Sequence, residues 1–273
     1  MKRIAIFALL AVSASAFSDP IMISQGGASF GWTDDAALSG AAVRTGTGGG
    51  AGNVFQNTGP DHSFQHWWWY RANGVNAREF ALSNMSSAPI VGSNFMELNY
   101  REVEGFTARL EYTVTEPSAG ISLVTATARV RNEGNSALDL SFFQYVDFDV
   151  AATTGNIGII NSANPAFMAT ITDNANTNYV QWRGIDADDY QVGAFSSVRT
   201  LFTDADVDDL NSTGLPFSGD FTGAIQWNFM LNPGEQILLQ TSFEAGPVPE
   251  PATMLVLASA SAAFIARRRR NRK

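Results

Sequence analysis

The chain has 273 residues, 45% of them hydrophobic and only 16% charged, with 19 phenylalanines and no cysteine. That much apolar material can bury a core, which excludes disorder of the whole chain, and the missing thiols exclude disulfides, zinc–thiolate centres and cysteine catalysis. Eight of the 17 basic residues sit at the two ends, leaving nine against 26 acidic residues between them, a balance that repels nucleic acid and excludes it as a partner.

Lys2 and Arg3 precede an apolar run over residues 4–12, and small residues follow it. This three-part order predicts a signal peptide over residues 1–16, cut by signal peptidase after the Ala14-x-Ala16 site. Nine apolar residues are too few to span a bilayer, so a retained anchor is disfavoured. The next forty residues are rich in Gly and Ala, and the stretch 46–52 reads as a loop. A first strand is expected around residues 21–23. No linker of domain-separating length follows, so residues 17–245 are read as one body.

Trp67, Trp68, Trp69 and Tyr70 form the most unusual run of that body. On a strand, Trp67 and Trp69 face one side and Trp68 and Tyr70 the other. One side must be core. The other either presents an aromatic platform for the rings of an extracellular polysaccharide or is buried under a further layer. His62 and His66 stand beside it, too few for a zinc site in a chain without cysteine.

Alternation dominates from there on. Phe106, Ala108, Leu110, Tyr112 and Val114 share one face of a predicted strand, with polar residues between them. Turn signals at 117–120 and 132–136 separate it from predicted strands at 121–130 and 138–150. Later strands are expected at 167–171, 178–182, 190–195, 225–231 and 236–243. No helical stripe of useful length occurs outside the two ends. The fold class is therefore all-β, an antiparallel β-sandwich, with a single transmembrane helix expected near the C-terminus.

Two acidic groupings carry candidate chemistry. Asp147 and Asp149 flank Phe148 on a predicted strand and so share a face, a pairing that suits glycoside hydrolysis but arises by default at that spacing. Asp204, Asp206, Asp208 and Asp209 place four carboxylates within six residues, a pattern that suits either a solvated acidic loop or a bound calcium ion (Ca2+). The loop lacks the glycine and the glutamate that an EF-hand requires at its sixth and twelfth positions, so any site would be of another kind. No nucleophile elbow and no phosphate loop is present.

The C-terminus repeats the signal logic in reverse. Residues 252–266 carry no charge and would reach about 22 Å as a helix, a short span that flanking arginines can extend by snorkelling. Arg267, Arg268, Arg269 and Arg270 follow and stay cytoplasmic by the positive-inside rule, acting as the stop-transfer end of a basic tail over 267–273. Val248, Pro249, Glu250 and Pro251 precede the span, and their prolines hold the chain extended.

Pro-Glu-Pro, apolar span and arginine cluster, in that order over residues 246–273, resemble the PEP-CTERM family of exported bacterial proteins. The resemblance implies recognition by an exosortase-type membrane protease, passage through a membrane-anchored stage, and delivery to the cell surface or extracellular matrix. It implies no activity for the body. With no catalytic signature in the sequence, the expectation is a non-enzymatic structural or adhesive protein. The alternative is a carbohydrate-binding module or carbohydrate-active enzyme.

Overall fold

A computed structural model of the chain describes residues 21–32, 53–56, 61–82, 85–163 and 166–248. The signal peptide, the glycine-rich stretch, Pro249 to Pro251, the predicted span and the arginine cluster lie outside the described residues. Among the described residues no helix is long and apolar enough to cross a membrane.

The strands in chain order are β1 (Ile21–Gln25), β2 (Ala28–Trp32), β3 (Asn53–Gln56), β4 (Gln65–Ala72), β5 (Phe80–Ala81) and β6 (Ile90–Val91). Next come β7 (Phe95–Arg101), β8 (Phe106–Ser118), β9 (Ile121–Asn132), β10 (Leu138–Phe148), β11 (Asn156–Ser162) and β12 (Ala166–Asp173). The rest are β13 (Asn178–Ile185), β14 (Asp189–Gly193), the helix α1 (Phe195–Thr203), β15 (Phe217–Gly219), β16 (Phe221–Leu231) and β17 (Gln236–Pro247). They form a three-stranded sheet β1-β2-β3, a five-stranded sheet β14-β16-β10-β4-β5, and a nine-stranded sheet β15-β11-β12-β13-β17-β9-β8-β7-β6. The ladders joining these strands are antiparallel.

The five- and nine-stranded sheets face each other across one core. Phe106, Ala108, Leu110, Tyr112 and Val114 are all buried there, on the face that the alternation of β8 predicts. From the five-stranded sheet Trp68, Tyr70, Phe142, Val146 and Trp227 point in to meet them. Trp68 stacks on Trp227 at 5.9 Å and donates its indole N–H to Tyr112 Oη at 3.0 Å. Gly223 lies where the two sheets approach closely, since a Cβ there would sit 2.7 Å from the Trp182 ring.

Two elements differ from the sequence expectation. β4 and most of β10 are buried on both faces, so they carry no two-residue alternation to read. The segment expected to continue as strand through Phe195 turns instead into α1, nine residues long and without a side-chain N-cap. Its Ser, Thr and aromatic content gives little intrinsic helicity, and it exists because Val198 and Phe202 pack onto the sheet below.

The body also reaches further along the chain than the expected boundary at residue 245. β17 pairs with β13 as far as Pro247, and the Val248 N–H donates to Thr177 O at 2.8 Å.

Candidate functional site on the outer face of the five-stranded sheet

Because β4, β10, β14 and β16 are in register, one residue in two from each strand lines the face turned away from the core. Along this outer face three zones succeed one another.

The first zone is polar. Arg71 is buried, and its guanidinium donates to Glu79 Oε1 at 2.6 Å, Asp209 Oδ1 at 2.6 Å, Asp208 O at 2.7 Å and Ser141 Oγ at 3.1 Å. Gln226 joins the group by donating to Asp209 Oδ1 at 2.8 Å while accepting from the Leu210 N–H at 2.7 Å. The Glu79 side chain is only 1% exposed. Arg71→Met would leave that carboxylate buried without its partner and is expected to cost about 3–5 kcal/mol in urea unfolding. Arg71→Met combined with Glu79→Leu should recover most of the loss.

The middle zone is aromatic. Trp67, Trp69, Phe143 and Tyr145 sit side by side, and α1 covers them through Val198 and Phe202. The Phe202 ring lies 5.4 Å from Trp69, 5.4 Å from Phe143 and 5.8 Å from Tyr145.

The third zone is acidic. Asp147, Asp149 and Asp220 converge so that one carboxylate oxygen from each lies within 4.8 Å of the others. Thr222, opposite Asp147 in the ladder, donates its hydroxyl to Asp147 Oδ1 at 3.1 Å. Burial raises the Asp147 carboxyl to about 7, with further upward pushes from Asp220 and Asp149 and a smaller downward one from Thr222. Asp149 is raised as well, first by burial and then by Asp220. A trio of this kind relieves its own repulsion by holding a proton or by holding a cation. Beyond Asp149, Ala151 and Ala152 adopt left-handed backbone at φ 59° and 56°, strained for residues with a Cβ. His62 Nδ1 accepts the Ala151 N–H at 3.1 Å and fixes that corner.

The sequence-derived candidates fare differently. Trp67, Trp68, Trp69 and Tyr70 form no open platform. Trp68 and Tyr70 fill the core, and Trp67 and Trp69 are 2% and 5% exposed beneath α1. The calcium loop is not assembled either. Asp209 is drawn inward by Arg71 and Gln226, Asp204 Oδ1 accepts the Asp206 N–H, and the four carboxylates do not converge. Among the described residues the one convergent acidic group is the trio. Its Asp147–Asp149 half is visible in the sequence, but Asp220 is not, because only the β10–β16 register brings it alongside. Of the sorting residues, Val248 is described and closes the last backbone bond of the sheet.

The fold is shared with carbohydrate-active enzymes. A bacterial glucoamylase in complex with acarbose superposes with a TM-score of 0.55 at 10% identity, over 86% of this chain and 32% of that one. A putative aldose 1-epimerase from Escherichia coli K12 gives 0.50 at 10% identity, over 84% of this chain and 99% of its own. A galactose mutarotase-like protein from Lactobacillus casei gives 0.50 at 8%, over 83% and 99%. The match thus spans about a third of the glucoamylase, and at these identities the likeness is one of fold. It corrects the expectation of a non-enzymatic body, since the fold is one that enzymes use. No curated protein matches the sequence.

Residues 247–270 match the PEP-CTERM protein-sorting motif. The chain is an exported protein bearing that signal, a substrate of the exosortase type.

Proposed function

We propose that this protein is delivered to the cell surface or extracellular matrix and acts there on glycans, with the acidic trio as its reacting centre. The observation that carries the reading is the Asp147 carboxyl, buried beside two other carboxylates and still protonated near neutral pH. A proton donor and an ionised partner a few ångströms apart are the two groups that glycosidic chemistry needs. Asp147 is the donor, and Asp149 or Asp220, both more exposed, supplies the carboxylate that meets the developing charge on the sugar. The sugar-directed names of the glucoamylase and the epimerase support the substrate class. A structural or adhesive contribution at the surface would run through the same glycan contacts.

The test of the chemistry is release of reducing ends from maltohexaose, cellohexaose and a galacto-oligosaccharide by the full chain in detergent. No release from any polysaccharide or oligosaccharide offered would sink the catalytic reading.

The test of delivery is separate. Replacing Pro249, Glu250 and Pro251 by alanines should leave an uncleaved form in the membrane, with the basic tail on the cytoplasmic side. Mass spectrometry of the membrane and extracellular fractions reads the outcome. An unchanged mature mass outside the cell would contradict exosortase processing at this motif.

A further inference from the structure

The aromatic zone contains an anomaly that core packing does not account for. Gln65 Oε1, Trp67 Nε1, Trp69 Nε1 and Tyr145 Oη are buried and make no hydrogen bond of ordinary geometry. The Thr222 hydroxyl, which gives its own proton to Asp147, stands beside the phenol as a weak acceptor outside ordinary geometry, so Gln65, Trp67 and Trp69 supply the three atoms wholly without a partner. Eleven such orphaned side-chain atoms occur among the described residues, and four of them belong to residues walling a single cavity under α1. All four residues are more than nine-tenths buried. Leaving a buried donor or acceptor unpaired costs about 1–3 kcal/mol each, so a cluster of three beside a weakly satisfied phenol is not a neutral outcome of folding.

The chemistry of the four atoms defines what would satisfy them. Two indole N–H groups donate, an amide carbonyl accepts, and a phenol does either. They are set among aromatic ring faces, with the Arg199 side chain and no carboxylate among the cavity walls. A ligand with apolar faces and both donating and accepting hydroxyls at its rim fits that set, and a sugar ring has this character. Arg199 and the indole N–H groups would also draw an anion, but an anion leaves the Gln65 carbonyl without a donor, whereas a sugar hydroxyl supplies one. The zone is also continuous with the trio. On β4 Gln65 is opposite Asp147, and Trp67 is opposite Tyr145.

As it stands the cavity has a volume of about 10 Å³, room for about one water. A sugar ring enters only if the cover moves, and the cover is lightly held. α1 has no side-chain N-cap, no acidic residue in its first turn and no basic residue in its last, and two buried side chains anchor it. A nine-residue helix of this composition has little stability away from its contacts, which makes it the part of the body best able to lift.

We infer that the cavity beneath α1 is a sugar subsite of the trio, closed by α1 when empty, in which Gln65, Trp67, Trp69 and Tyr145 bind a glycan ring once the helix lifts. The inference rests on the glycan reading for its ligand class but not on catalysis.

Binding of maltohexaose, cellohexaose and a galacto-oligosaccharide to the full chain in detergent, followed by calorimetry, tests it. Gln65→Ala and Trp69→Phe should each weaken binding of whichever probe binds by about tenfold, the second keeping the ring but removing its N–H. Phe202→Ala loosens the closed state and should tighten binding by about tenfold, because less of the population is held shut. Hydrogen exchange guards against misfolding. Phe202→Ala should speed exchange in residues 195–203 while leaving β10 and β16 protected, and bound sugar should alter exchange in the same helix. Asp147→Asn should abolish turnover and leave binding intact, so the failure of the catalytic reading and of this one are distinguishable. Binding of no probe, binding indifferent to Gln65→Ala, Trp69→Phe and Phe202→Ala, or exchange in α1 that no bound probe alters would each overturn the inference and leave one buried water as the occupant.

Discussion

Asp147→Asn is expected to stabilise the body at pH 8 by up to about 4 kcal/mol while removing its action on glycans. The native carboxyl titrates near 7 instead of 3.8, so folding favours the protonated form. Below pH 3.8 the group is neutral in both folded and unfolded chains and contributes no penalty. As pH rises from 3.8 to 7 the unfolded chain gains a well-solvated carboxylate that the folded chain resists forming, and the folded state loses ground until the shift is fully expressed above 7. A shift of about three units corresponds to about 4 kcal/mol. Asparagine keeps the shape and can still accept from the Thr222 hydroxyl, but it has no charge to bury. Urea midpoints at pH 8 and at pH 3.5 measure the effect, which should be large at the first and vanish at the second. An equal midpoint at pH 8 would mean that folding does not raise the Asp147 carboxyl, and reducing-end release at the original rate would mean that it is not the donor.

The acid limb of stability should belong to the two histidines, His62, which burial lowers to about 4, and above all His66. This ring lies between the sheets, 5.1 Å from Phe243 and 5.5 Å from Tyr112, and burial lowers it to about 3. Gln144 fixes its state. The Gln144 carbonyl accepts from Trp182 Nε1 at 2.9 Å, which turns the amide nitrogen toward His66 Nε2 at 2.8 Å and makes that ring nitrogen an acceptor. Protonation would set N–H against N–H at a fully buried ring. The folded pKa is depressed, so the unfolded chain takes up the proton first, and the His66 contribution to stability falls as pH drops from 6.5 through 3, opposite in sign to the change at Asp147. The full loss is about 5 kcal/mol. His66→Gln should remove about 1 kcal/mol of acid-side loss per pH unit from the urea-midpoint profile between pH 6.5 and 4 relative to the original chain, leaving the His62 and Asp147 contributions in place. A profile as steep as the original would place the acid-sensitive group elsewhere.

How far the sequence discloses this molecule depends on what each segment faces. β8 is half-buried, and its five apolar residues at every second position announce both the strand and the core face. β4 is buried on both sides, so Trp67 to Tyr70 read equally well as an exposed platform or as packing, and only the position of α1 decides. That helix is itself invisible, because Val198 and Phe202 acquire their meaning from Trp69, Phe143 and Tyr145, which lie far away in the chain. The acidic residues divide in the same way. Spacing shows Asp147 and Asp149 on one face, but Asp220 arrives through the pairing of β10 with β16. The aspartates at 204–209 look like a cation loop until Arg71 claims Asp209. Short-range patterns thus report strands and sorting signals, whereas the site is made of long-range register.

The position of β17 carries a consequence for timing. It lies between β13 and β9 and is the only strand joining the β15–β13 side of the nine-stranded sheet to the β9–β6 side, yet it follows every other described strand in the sequence. During N-to-C translocation the two halves emerge first and cannot be stitched together until β17 has crossed. Its last residue, Pro247, is also the first residue of the sorting motif. Completion of the sheet and arrival of the motif at the membrane protease therefore fall at nearly the same moment. Because β17 lies on the N-terminal side of Pro249-Glu250-Pro251, it stays with the exported body, and the membrane protease meets the motif directly beside the strand that closes the sheet.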